Sequence, residues 1–436
     1  MRIEIVTIGD ELLLGYTIDT NGAHLARELA ALGISVVRRT TTGDGAEDIG
    51  AAVRDALDRT GAVITTGGLG PTSDDLTKPA IAALFGRGMR LDEEILASLE
   101  TRWRARFDRP LPASNRQQAM LPEGARVLVN RHGSAPGVWL EDEHGRWVAM
   151  LPGVPREMRG MLADEILPLL RARAGATASV VRSRTVRTTS IAESALADRL
   201  GDLARGVDGL GLAYLPGWEG VDLRLTTRGL PADAADAALA GAAVRLGERV
   251  GAHVYGGTGD DLAAVVLDLC RARGLTVAVA ESCTGGLLGA RLTAIAGSSD
   301  VVRGGVIAYH NDAKMDLLGV SADDLRVHGA VSEPVVRRMA TGARERLGAD
   351  IGIGITGVAG PGGGSAEKPV GLVWLAVDVA GEVRVHRGMF IGERAEIRQR
   401  AAQFALDMVR RAVALVPAVS PAPPTSNAAS TAGTRS

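Results

Sequence analysis

The sequence predicts an α/β protein of three domains, and three observations carry that reading. Apolar strand-like runs alternate with helical patterns from the first residues, a second such alternation begins near residue 256, and a shorter mixed segment separates them. The 436 residues exceed what one core organises, at about 100–200 residues per domain. Hydrophobic residues make up 46% and aromatics only 3%, so Leu, Val, Ile and Ala must do the packing.

Residues 1–170 form the first predicted domain. The strand-like "RIEIVTIGD" is followed by helical "TNGAHLARELAALG", strand-like "ISVVRRTTTGD", helical "AEDIGAAVRDALDRT" and strand-like "GAVITTGGLG". Strands joined through helices of this length make right-handed crossovers and a parallel sheet, whose ligands sit at the carboxyl ends of the strands. The region 87–150 is broken by Pro and Gly and reads as an insertion completing this domain. "RARAGATAS", residues 171–179, reads as a flexible linker.

The second predicted domain spans 171–255, with a β-α-β-β-α order and the size of a small α+β unit. The third spans 256–416. It runs from helical "LAAVVLDLCRARG" through strands "LTVAVAES", "RGGVIAYHN", "GADIGIGITG" and "PVGLVWLAVDVAG" to helical "ERAEIRQRAAQFALDMVRRAVALV". The tail 417–436, Pro, Ser, Ala and Thr with little to bury, is expected to be disordered.

A net charge of −2 and a pI near 6.4 leave no global basic field, so sequence-independent nucleic-acid binding is not expected. Two cysteines make no disulfide framework and no zinc site. The N-terminus lacks the pattern of a secretory signal and no apolar run reaches membrane-spanning length, so a cytoplasmic protein is expected.

In the first domain, "VITTGGLGPTSDDLT" sets Gly67, Gly68 and Gly70 directly after an apolar strand, then Thr72, Asp74 and Asp75. Glycine-rich turns present backbone N–H groups to anions and the carboxylates suit a divalent cation; the same turn also reads as a strand-to-helix connection with capping aspartates. Asp10 and Asp44 fall at two further strand ends. Neither a Walker A loop nor the Gly-x-Gly-x-x-Gly dinucleotide order is present.

In the third domain, "AESCTGG" closes a strand and opens a helix, giving Ser282, Thr284, Gly285 and Gly286 the position of an anion or oxyanion nest. Cys283 reads as a buried packing thiol, because neither His310 nor His328 has an identifiable partner with which to form a catalytic pair. In "AGSSDVVRGGVIAYHNDAK", Ser299, Tyr309 and Lys314 offer a hydroxyl, a phenol and an amine that a fold could bring together; a desolvated neutral lysine can serve a serine as base. The same residues also read as capping serines and an exposed lysine. Tyr-x4-Lys is not the spacing of short-chain dehydrogenases.

"TIGDELLLGYTIDTN", "TTGGLGPTSDDLT" and "LPGVPREM" in the first domain, with "AESCTGG", "IAGSSDVVRGGVIAYHNDAK", "GAVSEPVVRRMATGA" and "TGVAGPGGGSAEKPVG" in the third, resemble the CinA family of competence/damage-inducible proteins. The resemblance covers residues 1 to about 416. It implies a molybdopterin-binding-like first domain, a KH-like middle domain and a C-terminal domain similar to nicotinamide mononucleotide deamidases. It further implies a Ser/Lys dyad assisted by Tyr, carried here onto Ser299, Lys314 and Tyr309, needing no cofactor. Ser282, Thr284, Gly285, Gly286, Thr356, Gly357 and Arg394 would bind that substrate.

For the first domain the resemblance implies hydrolysis of ADP-ribose, with Gly67, Gly68, Gly70 and Thr72 on the pyrophosphate and a divalent metal on Asp10, Asp74 and Asp75. A homo-oligomer, a dimer, is expected on the same ground. The other readings are a non-enzymatic factor in DNA uptake or damage response, and a molybdopterin-binding enzyme. Gly217-Trp218-Glu219-Gly220 has the letters of a KH nucleic-acid loop, but lies between two strands and carries an acid; with Arg182, Arg184 and Arg187 read as a solvated strand face, nucleic-acid binding is not expected here.

Overall fold

The computed structural model describes residues 1–174 and 180–417. The chain divides into two compact units, Met1–Ser183 with Thr226–Leu239, and Arg184–Leu225 with Ala240–Ser436. Of the linker read over 171–179, residues 171–174 instead finish the helix Leu167–Ala174, and the rest lies outside the described residues. So does the expected disorder of the tail beyond Pro417.

In the first unit a six-stranded sheet runs in the order Ser35–Thr42, Arg2–Ile8, Ala62–Thr66, Trp147–Leu151, Gly137–Glu141, Arg126–Leu128. The first four strands are parallel and the last two antiparallel. Crossover helices explain the parallel part: Thr20–Ala31, capped by Asp19 accepting from Gly22 N at 2.7 Å, and Ala46–Thr60, stopped by Gly61 at φ +69°. The central strands are buried on both faces, one around Ile3, Ile5 and Ile64, the other around Val6, Val63 and Val148. The 87–150 region supplies the helix Glu93–Phe107, a two-stranded ribbon and the three strands that complete the main sheet, as expected of an insertion.

In the middle domain the strands run in the order Gly206–Val207, Leu210–Pro216, Val221–Leu230, Val180–Thr188, Val254–Gly257. Gly217–Gly220 is a hairpin turn between two of them, closed by Gly217 N donating to Gly220 O at 2.8 Å. Arg187 is not on a solvated face. It pairs with Glu219 and Asp222 and lies 5.2 Å from the Tyr255 ring centre.

The C-terminal sheet runs Val302–Ile307, Val277–Glu281, Ile351–Gly357, Leu372–Val379, Glu382–Met389, three parallel strands followed by two antiparallel ones. Alternation sorts its faces. Val277, Val279 and Cys283 join the core under Leu262–Arg271, Leu287–Thr293 and Arg394–Ala414, whereas Ala278 and Ala280 join the core under Asn311–Leu318 and Glu333–Leu347. In "IGIGI" the glycines admit the second layer: a Cβ at Gly352 would stand 2.0 Å from Ala340 O.

Candidate active site

The parallel strands of the C-terminal sheet deliver their chemistry at their carboxyl ends. Ala308 N donates to Glu281 O at 2.8 Å and Ser282 N to Ile355 O at 2.9 Å, the bonds that close the last pairs of the strand Val277–Glu281, Glu281 with Ile307 and with Ile355. Ser282 follows Ala278 and Ala280 at the strand's two-residue spacing, and Cys283 after it rejoins the core of Val277 and Val279, so alternation assigns Ser282 to the Ala278 and Ala280 side, the face that the Lys314 helix covers. The buried Glu281 carboxylate on the other side accepts from Gly286 N, Leu288 N and Gly289 N at 3.1, 3.0 and 2.8 Å. Gly285 N donates to Ser282 O at 3.1 Å.

These bonds correct the expected nest. The amides of Gly285 and Gly286 shape the turn, at φ +59° and +91°, and are spent inside it rather than held out to a ligand. The Thr284 hydroxyl is different: it is fully buried and has no hydrogen-bond partner.

Lys314 is almost completely buried. Its Nζ donates to Ala308 O at 2.9 Å and Tyr309 O at 3.2 Å, the carbonyls just beyond the residue paired with Glu281. Burial lowers its pKa below the ordinary 10.5; the neighbouring Cys283 acts in the opposite sense. Burial also pushes the Cys283 thiol up to about 12, and its side chain is part of the hydrophobic core. A protonated, core-facing thiol is a poor nucleophile, which leaves Ser282 as the hydroxyl on the lysine's face of the loop.

Within the chain Ser299 lies apart from Lys314. It lies in the 3-10 turn Ser298–Asp300, and Val301 O accepts from Val277 N at 2.9 Å, which fixes that turn at the amino ends of the strands. Tyr309 and Lys314 follow the carboxyl end of the intervening strand Val302–Ile307; its 6 residues span roughly 20 Å. The "AGSSD" turn is an anchor: Arg271 pairs with Asp300 at 2.7 Å and donates to Gly297 O at 2.9 Å.

The first turn of Arg394–Ala414 brings two cations. Arg394 donates to Tyr309 Oη at 3.0 Å and Gly360 O at 2.6 Å, and Arg398, one turn later, donates to Thr284 O at 2.7 Å. Tyr309 is exposed above the buried lysine. Thr356 and Gly357 serve the scaffold instead: the Thr356 hydroxyl donates to Ala330 O at 2.9 Å, and a Cβ on Gly357 would stand 2.7 Å from Leu372 O. Arg398 escaped the sequence reading, although Arg-x3-Arg at the start of a helix puts both guanidinia on one face.

In the first unit the glycine turn satisfies itself. The Asp75 carboxylate accepts from Gly70 N at 2.7 Å, Thr72 N at 2.8 Å and Thr72 Oγ1 at 2.5 Å, filling the donors expected to hold a pyrophosphate. Gly67 N donates to Leu151 O at 3.1 Å, and Gly68 packs on Thr77. Asp10 and Asp44 instead accept each other's backbone N–H at 3.3 and 3.0 Å, while Asp74 is exposed. Among the described residues no group of three or more His, Cys, Asp or Glu is placed to hold a metal ion, and Asp10, Asp74 and Asp75 are engaged separately rather than gathered as one ligand set. Asn21, not singled out from sequence, is buried nearby: its Nδ2 bonds Thr66 and Gly153 O, and its Oδ1 has no partner.

Fold and site define a protein with a molybdopterin-binding-type N-terminal domain, a KH-like middle domain and a C-terminal α/β domain with a serine and a buried lysine at its strand ends. Residues 4–172 match the family "Probable molybdopterin binding domain", 183–256 match "Damage-inducible protein CinA KH domain" and 259–413 match "CinA C-terminal domain". A "CinA-like protein" of Gemmatimonas aurantiaca is 68% identical over 95% of this chain and 97% of its own length. A "Putative competence-damage inducible protein" of Moorella thermoacetica is 44% identical over 95% and 99%. The solved "competence/damage inducible protein CihA" of Agrobacterium tumefaciens is 47% identical over 35% of this chain and 93% of that one, at a TM-score of 0.34. The chain belongs to the CinA family of competence-damage inducible proteins. Among the described residues no helix is long and apolar enough to cross a membrane.

Proposed function

We propose that the C-terminal domain is an amidohydrolase that converts nicotinamide mononucleotide to nicotinate mononucleotide and ammonia, with Ser282 as nucleophile and Lys314 as base. The observation that carries this reading is the buried Lys314 amine at the carboxyl strand ends, its pKa lowered by burial, on the face to which alternation assigns Ser282.

In its neutral form Lys314 Nζ takes the Ser282 proton as Oγ bonds to the carboxamide carbon. It returns the proton to the departing nitrogen as the C–N bond breaks, releasing ammonia and leaving an acyl-serine. Water then attacks the ester, Lys314 takes its proton and passes it to Ser282 Oγ, and nicotinate leaves as its mononucleotide. The buried, partnerless Thr284 hydroxyl is the donor this reading assigns to the developing oxyanion. Arg394, with Arg398 behind it, gives the mouth the cation that a 5′-phosphate requires.

In the N-terminal domain Asp10 and Asp44 bond each other's backbone and Asp75 bonds its own turn, so the proposed chemistry is confined to the C-terminal domain. Incubation of the full chain with nicotinamide mononucleotide should release one ammonia per nicotinate mononucleotide formed. Substrate recovered unchanged would end the proposal.

A further inference from the structure

Within the second unit, a cavity of about 710 Å³ lies between the hairpin turn Gly217–Gly220, the segment 189–193 and the helix Arg394–Ala414. Ser282, Tyr309, Lys314 and Arg394 do not line it. Its size is that of a small-molecule site, and its walls hold unspent polar groups.

Arg400 Nε is buried without a hydrogen-bond partner, and no ion pair engages its guanidinium among the described residues. Ser190 Oγ is likewise buried and partnerless, on a residue at φ +57°, a left-handed conformation uncommon for a non-glycine residue. Of the three lining carboxylates one is charge-paired, one caps its helix and the third, Glu193, is exposed. Glu219 is paired with Arg187 and Arg291, and Glu396 accepts from Glu393 N at 2.9 Å to cap its helix. Gln403 is held from both ends, donating to Thr189 Oγ1 at 3.3 Å and accepting from Arg291 at 2.8 Å. Among the described residues the guanidinium of Arg400 thus makes no ion pair within the cavity.

The apolar part of the wall is unusual in a chain with 3% aromatics: Trp218, Met389, Phe390 and Phe404 meet here. Trp218 is 40% exposed and Met389 52% exposed. Arg291 lies 5.7 Å from the indole centre and fixes the ring beside the cavity. An unpaired guanidinium beside exposed ring and thioether surface suits an anion that carries a flat ring. Ser190 and the exposed Glu193 supply partners for hydroxyls between the two.

We infer that this cavity is a second ligand site, taking a 5′-mononucleotide with its phosphate on Arg400 and its base against Trp218 and Met389.

The test is a fluorescence titration of the full chain with AMP, adenosine and inorganic phosphate, using wild type, Trp218→Phe, Arg400→Ala and Arg400→Lys. AMP should quench saturably, and that component should be missing in Trp218→Phe. Its midpoint should rise roughly tenfold or more in Arg400→Ala, and less in Arg400→Lys, which keeps the charge but loses the fork. Adenosine and phosphate should each bind more weakly than AMP. Absence of any Trp218-dependent response at millimolar AMP, the same midpoint in both Arg400 variants as in wild type, or phosphate binding as well as AMP would overturn the inference.

Discussion

Arg394 donates a 3.0 Å hydrogen bond to the Tyr309 hydroxyl, tying the first turn of the last long helix to the segment that leads into the Lys314 helix. In the proposed reaction this cation is the group that binds and orients the anionic substrate.

Arg394→Ala should therefore raise KM more than it lowers kcat. Loss of a charged hydrogen bond costs about 1.5–3 kcal/mol, roughly a ten- to hundredfold change in KM. Tyr309→Phe removes only the tether and should change KM less. Steady-state kinetics with nicotinamide mononucleotide separate the two parameters.

Cys283 should be dispensable for chemistry. With its thiol pushed up to about 12 and its side chain in the core, iodoacetamide at neutral pH should not inactivate the enzyme. Cys283→Ala should keep its turnover while losing about 1–2 kcal/mol of stability in denaturant titration, the cost of a small cavity.

The Lys314 shift sets the pH profile. Its pKa in the folded protein is lowered by burial, and the neutral amine is the base, so activity should rise with pH through a midpoint below 10.5. Lys314→Arg, which cannot deprotonate in this range, should abolish ammonia release at every pH.

Lys78 gives a stability counterpart in the first unit. Burial pushes its pKa down to about 8, and its Nζ donates to Gln117 O and Gln118 O at 3.1 and 2.9 Å. Between that value and 10.5 the unfolded chain binds more protons than the folded one, so this lysine adds stability as pH rises, by about 3 kcal/mol at most. Urea unfolding followed through Trp103, Trp139 and Trp147 should show this rise from pH 8 to 10 in wild type and not in Lys78→Met.

Much of the fold was legible because periodicity is local. The runs around Ile5, Val63 and Val279 announced parallel strands, and Asp19 and Gly61 punctuated their helices. The site was legible only in part. Lys314 and Tyr309 follow the carboxyl end of their strand, whereas Ser299, which the family resemblance made their partner, precedes its amino end: a 6-residue strand turned a separation of ten positions into opposite ends of a sheet. Ser282 could have been found from its own strand: in "VAVAES" the small residues Ala278, Ala280 and Ser282 share one face. The carboxylates of the first domain misled for another reason. Asp75 is drawn to the nearest amides of its own turn before it can serve a metal, and spacing along the chain does not reveal that competition.

Ammonia release from nicotinamide mononucleotide by Ser282→Ala and Ser299→Ala measures which serine attacks. Ser282→Ala should lose at least about a thousandfold in kcat, as expected when a nucleophile is removed, while Ser299→Ala stays near wild type. A fully active Ser282→Ala beside an inactive, folded Ser299→Ala would contradict Ser282 as the nucleophile.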